Sequence, residues 1–211
     1  TAYVEKIDPK TGNAILTISG KEATLPKIEQ VPDELIKEGD HIKVYVVDVK
    51  ETDRGARVML SRTHPGLVKR LFETEVPEIF DGTIEIKAIS RQAGSRTKIA
   101  VWCADPEIDA VGACIGPKGA RVNAIVDELK GEKIDIVKYS ENPAEFISEA
   151  LSPAKVVSVE IISEEPKACK VKVPDAQLSL AIGNKGQNVR LAAKLTGWKI
   201  DIHPESGFFG E

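Results

Sequence analysis

The chain has 211 residues, 42% of them hydrophobic and 29% charged, with a formal net charge of -4 at pH 7. That length allows one large domain or two or three small ones with ordinary packed cores. No apolar stretch approaches the roughly 18 residues of a membrane span and no secretory leader is legible. Cys103, Cys114 and Cys169 form no Cys-x-x-Cys pair, which excludes a zinc knuckle, argues against a disulfide framework and fits a reducing cytoplasm.

Thr1 stands where a complete chain would carry Met, and residues 3–8 already read as a strand, so the sequence reads as a section of something longer. Strand-like runs follow at 14–18, 22–25, 42–49 and 57–61, with one or two helical turns at 33–37. Short strands joined by Gly-containing turns predict a small β-barrel over 1–62. Thr63-His64-Pro65-Gly66 ends it, with His64 as a junction residue. Beyond lie a helix at 67–74, alternating strands at 84–88 and 99–103, helices at 108–115 and 121–129, and a strand at 134–136. The same order returns: a helix capped by Asn142 and opened by Pro143, strands at 157–161 and 169–173, helices at 177–182 and 187–195, and a strand at 199–202. Each copy predicts a three-stranded sheet covered on one face by helices.

The repeat is explicit in the residues. Ile115-Gly116-Pro117-Lys118-Gly119 recurs 67 positions later as Ile182-Gly183-Asn184-Lys185-Gly186. Gly131 followed by Lys133-Ile134-Asp135-Ile136 recurs as Gly197 followed by Lys199-Ile200-Asp201-Ile202, the second motif at an offset of 66. Both Gly-x-x-Gly loops fall inside acid-free windows, one holding Lys118 and Arg121, the other Lys185, Arg190, Lys194 and Lys199. Acids crowd elsewhere, as at Glu73, Glu75, Glu78 and Asp81. A mildly acidic chain thus carries two local basic sites.

Glycines let a backbone approach a ligand closely, and the start of the following helix offers unpaired N–H groups to a phosphate. Lys118 and Lys185 add charge, and Ile115 and Ile182 form an apolar floor for unstacked bases. That combination suits the backbone of about four nucleotides of single-stranded RNA per loop. Only Ser140, Glu141 and Asn142 separate the copies. Three residues reach about 10 Å, so the copies are expected to touch and the modules to pack as one rigid body.

Rival readings are weaker. Gly112-x-x-x-Gly116-x-x-Gly119 lacks the Gly-x-Gly start of a dinucleotide fingerprint, and His41, His64 and His203 lack metal-ligand spacing. The expectation is a non-enzyme without cofactor or metal. An RNA-binding accessory region of a ribonuclease or a ribosome-associated factor remains the alternative. A protein-interaction scaffold with degenerate loops is the third.

Gly-Ala-Cys-Ile-Gly-Pro-Lys-Gly-Ala-Arg-Val at 112–122 and Leu-Ser-Leu-Ala-Ile-Gly-Asn-Lys-Gly-Gln-Asn-Val-Arg-Leu-Ala at 178–192 resemble the paired KH motifs of the NusA family of bacterial transcription elongation factors. Leu60-Ser61-Arg62-Thr63-His64-Pro65 and Val76-Pro77-Glu78-Ile79 resemble that family's junction between barrel and first KH domain. The resemblance implies a multidomain chain: an OB-fold barrel of the ribosomal-protein S-one type at 1–62, type II KH domains (α-β-β-α-α-β) at 63–140 and 141–206, and a tail at 207–211. It implies that Gly116, Pro117, Lys118, Gly119 and Arg121 line a first RNA site. Gly183, Asn184, Lys185, Gly186, Gln187 and Asn188, with Arg190 nearby, would line a second. It further implies a cytoplasmic factor in pausing, termination and antitermination. Its partners would be nascent single-stranded RNA, other elongation and antitermination factors, and RNA polymerase through an N-terminal domain preceding the barrel. The barrel departs from the usual OB pattern: it offers only Tyr3 and Tyr45 as aromatic platforms, so it reads as an auxiliary RNA contact.

Overall fold

The computed structural model describes residues 1–207; residues 208–211 of the expected tail lie outside the described residues. The N-terminal strands β1 (Ala2–Ile7), β2 (Ala14–Ile18), β3 (Lys21–Leu25) and β4 (His41–Ile42) form an antiparallel sheet in the order β3-β2-β1-β4. A separate hairpin pairs β5 (Tyr45–Thr52) with β6 (Gly55–Ser61). Ala2, Val4, Ala14, Leu16, Leu25, Ile42 and Leu60 make the shared core.

Two expectations change here. The single strand at 42–49 is broken at Lys43 and Val44, so no hydrogen-bonded closed barrel forms among the described residues. The cause is competition for Lys43: its N–H donates to the Glu128 carboxylate at 2.9 Å, and its carbonyl accepts from the Arg62 guanidinium. Residues 33–37 form no helix. Asp33 sits at φ +65°, a left-handed conformation that interrupts a helix, and Glu34 turns inward to within 2.6 Å of the fully buried Arg62 Nε.

The first α/β unit opens with α1 (Pro65–Glu75), whose start is capped by His64 Nδ1 accepting from Gly66 N at 2.9 Å. α1 buries Leu67, Val68, Leu71 and Phe72, and a short α2 (Pro77–Phe80) follows. Then come β7 (Ile84–Gln92), β8 (Arg96–Cys103), α3 (Ala110–Ile115), α4 (Ala120–Glu128) and β9 (Lys133–Lys138), with sheet order β7-β8-β9. The second unit runs α5 (Pro143–Ala150), β10 (Ser158–Glu164), β11 (Lys167–Val173), α6 (Leu178–Ile182), α7 (Gln187–Thr196) and β12 (Lys199–Pro204), with order β10-β11-β12. In both sheets the first pair is antiparallel and the second parallel. The parallel registers start alike, Arg96 opposite Lys133 and Ala168 opposite Lys199, so the repeat extends to strand register.

The two sheets differ in what covers them. In β8 the side chains alternate between faces. Ile99 and Val101 enter the first unit's core, while Ala100 joins the core of the second, with Val137, Phe146, Ile147, Leu151 and Leu195. Ala88 and Tyr139 pack against that second core, and Tyr139 meets Phe146 edge-on at 5.0 Å between centroids. The first sheet is therefore sandwiched between its own helices and the second unit. Lys98 is fully buried there, its Nζ 2.9 Å from Asp135 and donating to the Ser152 carbonyl at 2.7 Å. Desolvation pulls its pKa down, against the opposing pull of Asp135.

The N-terminal sheets are fixed to the first unit by buried charge. Arg62 Nη2 donates to the Glu128 carbonyl at 3.1 Å, and the Tyr45 and His64 rings stack at 4.7 Å. Nearby, Glu132 is buried with Arg91 and accepts from Arg91 Nε and Nη2, Gly94 N and Thr97 Oγ1. Removing one partner of such a pair leaves an uncompensated charge. Glu132→Ala should lose about 3–5 kcal/mol of stability in urea unfolding, whereas a loss below about 1 kcal/mol would show that Arg91 finds another partner.

Candidate nucleic-acid interface

Each Gly-x-x-Gly loop joins two helices, α3 to α4 and α6 to α7. The backbone angles nearly coincide. Gly116 lies at φ 78°, ψ 170° and Gly183 at 81°, 170°. Lys118 lies at 53°, 28° and Lys185 at 53°, 31°. Gly119 lies at 74°, 13° and Gly186 at 73°, 16°. A lysine held in the left-handed region is strained, and such strain gathers at ligand clamps. Both lysines are exposed. Neither following helix has a side-chain cap or an acid in its first turn, so each start offers uncapped N–H groups and the positive dipole end.

The first glycine of each loop is demanded by crowding as well as by φ. A Cβ on Gly116 would stand 3.0 Å from Arg121 N, and one on Gly183 would stand 2.6 Å from Asn188 N. Arg121 and Asn188 occupy the equivalent position 67 residues apart and do equivalent work. Arg121 Nη1 donates to the Ala113 carbonyl at 2.7 Å, and Asn188 Nδ2 donates to the carbonyls of Ala181 at 2.9 Å and Leu151 at 3.0 Å. Both side chains hold the last turn of the preceding helix. Asn188 is buried, unlike the exposed Lys185.

Charge distinguishes the two loops. Glu78 of α2 returns to Arg121 at 2.9 Å, so the first window is acid-free in sequence but not in space. Arg190 instead donates to the Lys185 carbonyl and to Gln92 Oε1, each at 3.0 Å, and makes no ion pair among the described residues. Ile115 is part-exposed beside the first loop, while Ile182 packs on the second core. Pro117 and Asn184 are exposed at the loop tips. Gln187 Nε2 reaches across to Ser95 Oγ at 2.6 Å. Together Gln92, Ser95, Arg96 and Lys133 of the first unit border the second loop, a grouping that local motifs do not signal. In the N-terminal region, Tyr45 is taken up by its stack on His64, which leaves Tyr3, tilted against His41 at 5.2 Å, as the exposed aromatic ring.

Burial pushes the thiol pKa of Cys114 up to about 12 and that of Cys169 up to about 11, which disfavours the thiolate form of both. Among the described residues no group of three His, Cys, Asp or Glu could hold a metal, and no helix is long and apolar enough to cross a membrane.

Two α/β units, each with a Gly-x-x-Gly loop between helices, define a tandem KH protein. Residues 62–139 match the NusA-like first KH domain and residues 143–208 the NusA-like second KH domain. The chain belongs to the NusA family, corresponding to its paired KH region together with the segment before it. It is 62% identical over 185 residues to the transcription termination/antitermination protein NusA of Halalkalibacterium halodurans, covering 88% of this chain and 48% of that protein. The Bacillus subtilis protein of the same name is 59% identical over 207 residues, covering 98% of this chain and 55% of its own length. That of Thermus thermophilus is 48% identical over 205 residues, covering 97% and 52% respectively. The chain thus spans about half the length of the curated relatives it matches.

The two glycines of a loop should differ in tolerance. Gly183→Ala meets both backbone crowding and a glycine-only conformation, and should cost about 3 kcal/mol. Gly186→Ala meets no atom closer than 4.0 Å and should cost about 1 kcal/mol for its φ alone. Urea unfolding of both variants measures the difference, and equal costs would contradict it.

Proposed function

We propose that this chain binds single-stranded RNA through its two Gly-x-x-Gly loops, as the RNA-binding part of a NusA-type factor acting in transcription termination and antitermination. The observation that carries the proposal is the near identity of the two loops. Each presents an outward lysine in strained backbone ahead of a helix start without a side-chain cap. A phosphate there receives backbone N–H donors, the helix dipole and an ammonium group. Ile115 supplies apolar surface for bases at the first loop, Ile182 keeps only a partly buried edge at the second, and Lys118, Lys185, Gly119, Gly186, Pro117 and Asn184 make up the contact edge. Arg121 and Asn188 act one step behind, fixing the shape of each loop.

The domain division that fits this reading is 1–62, 63–140 and 141–206. The first part is an open OB-type barrel acting as an auxiliary RNA contact, and the other two are type II KH domains. The relatives' printed names support termination and antitermination over a ribonuclease accessory role. The family resemblance, rather than these names, suggests RNA polymerase, through a domain preceding the barrel, and other elongation and antitermination factors as partners in a cytoplasmic setting. No catalytic role is assigned.

The test is the double variant Lys118→Asp/Lys185→Asp. Both side chains sit on exposed loop tips, where substitution shifts stability by less than about 0.5 kcal/mol. Affinity for a single-stranded RNA, followed by fluorescence anisotropy, should fall at least tenfold with the melting curve intact. The dependence of log affinity on log salt should become shallower by roughly 1.4, at about 0.7 per single-strand phosphate contact. Unchanged affinity, or equal affinity for a blunt RNA duplex, would overturn the proposal.

A further inference from the structure

The helix after each Gly-x-x-Gly loop carries one arginine, but not at the same place. Arg121 stands two residues after Gly119, and Arg190 stands four residues after Gly186. The two guanidinium groups reach their loops by different routes and meet different partners there.

At the first loop the Arg121 stem passes beneath the backbone: a Cβ on Gly116 would lie 2.7 Å from its Cγ. Its Nη1 donates to the Ala113 carbonyl at 2.7 Å and meets the Glu78 carboxylate at 2.9 Å. The charge of Arg121 is therefore compensated, and Lys118 is left as the uncompensated cation of that loop. Glu78 is carried by α2, which has no counterpart in the second unit, where the chain between α5 and β10 forms no helix.

At the second loop the guanidinium lies on the loop itself. Arg190 Nη1 donates to the Lys185 carbonyl at 3.0 Å and stands 4.0 Å from the place that a Cβ on Gly186 would take. Its Nη2 donates to Gln92 Oε1, also at 3.0 Å. Gln92 ends β7 of the first unit. A neutral acceptor from the neighbouring unit thus holds Arg190, whereas a carboxylate from its own unit holds Arg121. Neither Lys185 nor Arg190 has an ion-pair partner among the described residues.

We propose that residues 78 and 92, both outside the loop motifs, rank the two loops toward RNA: Glu78 weakens the first, and the neutral Gln92 leaves the second as the principal phosphate anchor. Both are positioning residues, since each acts through an arginine. A phosphate at the first loop meets the field of a lysine and a compensated pair, and one at the second meets a lysine and an uncompensated arginine. Because the acceptor for Arg190 comes from the first unit, the strength of the second loop depends on the docking of the two units. The proposal rests on the RNA-binding reading above.

The experiment exchanges the two acceptors. Glu78→Gln and Gln92→Glu are close in shape to the native side chains and keep an acceptor for the arginine, so each changes charge alone. Affinities of the whole chain for a single-stranded RNA of about ten nucleotides, long enough for both loops, are followed by fluorescence anisotropy over a salt series. Glu78→Gln should raise affinity and Gln92→Glu should lower it, each by about two- to fivefold, the scale of a partly exposed charge interaction, with melting curves unchanged. Both differences should narrow as salt is raised. An effect that persists undiminished at high salt would mark a loosened loop and overturn the electrostatic assignment. Lys185→Asp alone should cost more affinity than Lys118→Asp alone, and the gain from Glu78→Gln should survive in the Lys185→Asp background and vanish in the Lys118→Asp background. Unchanged affinity in both exchanged variants, changes of the opposite sign, or equal losses in the two lysine variants overturn the proposal. In those cases RNA binding that still depends on Lys118 and Lys185 keeps the RNA reading, and binding indifferent to both lysines overturns that reading as well.

Discussion

Everything that places the second loop beside the first unit depends on one sheet being buried on both faces. A three-stranded sheet with helices on a single face leaves its other face to water or to a partner. Here Ala88, Ala100, Val137 and Tyr139 carry that face into the second unit's core. The contact also holds an ion pair, Lys98 with Asp135, in which the Lys98 ammonium group additionally donates to the Ser152 carbonyl. A buried pair of this kind adds little net stability, but breaking it is costly, so it penalises any displacement of one unit against the other. The corresponding positions of the second sheet show the contrast. Lys172 and His203 face each other in the register that Ala100 and Val137 hold in the first. A charged and a polar residue in place of two apolar ones give the outer sheet a solvated face, in the manner of a terminal repeat with a polar cap.

The paired loops are structurally the same and electrostatically different. Arg121 and Asn188 perform one mechanical task with different chemistry, and the difference propagates. The guanidinium draws in Glu78, whereas the amide brings no charge to its loop and donates to the Ala181 and Leu151 carbonyls. On the proposed RNA-binding reading, a phosphate at the first loop would lie near the Glu78 carboxylate, and one at the second loop would meet no such counterpart.

Legibility in the sequence followed the range of the interactions involved. The loops and the succession of strands and main helices were readable, the short α2 of the first unit excepted, because glycines at fixed spacing, alternating apolar residues and capping residues such as Asn142 are local signals. The short connection at 140–142 foretold contact between the units, since chain length alone limits their separation. The interrupted strand was not readable: the groups that take Lys43 out of the ladder, Arg62 and Glu128, lie 19 and 85 residues away. The same holds for Glu78 at Arg121, 43 residues distant, and for Ser95 at Gln187, 92 residues distant. Asn188 illustrates a subtler limit. Its place in the motif marked it as a loop residue, but only the positions of Ala181 and Leu151 show that its amide faces the core.

The proposed RNA-binding reading requires the two KH units to form one continuous RNA platform, held by the shared core rather than by the linker alone. Affinity as a function of RNA length, measured on the chain and on a variant with a flexible Gly-Ser segment inserted after Tyr139, tests it most directly. At about four nucleotides per KH unit, affinity of the unaltered chain should keep rising to about eight to ten nucleotides. Linked sites spare the second contact the loss of translational freedom, so the insertion, by loosening the Tyr139–Phe146 contact, should weaken binding of long RNA while leaving four-nucleotide binding in place. Saturation at four nucleotides, or long-RNA affinity indifferent to the insertion, would mean that the two units bind RNA independently.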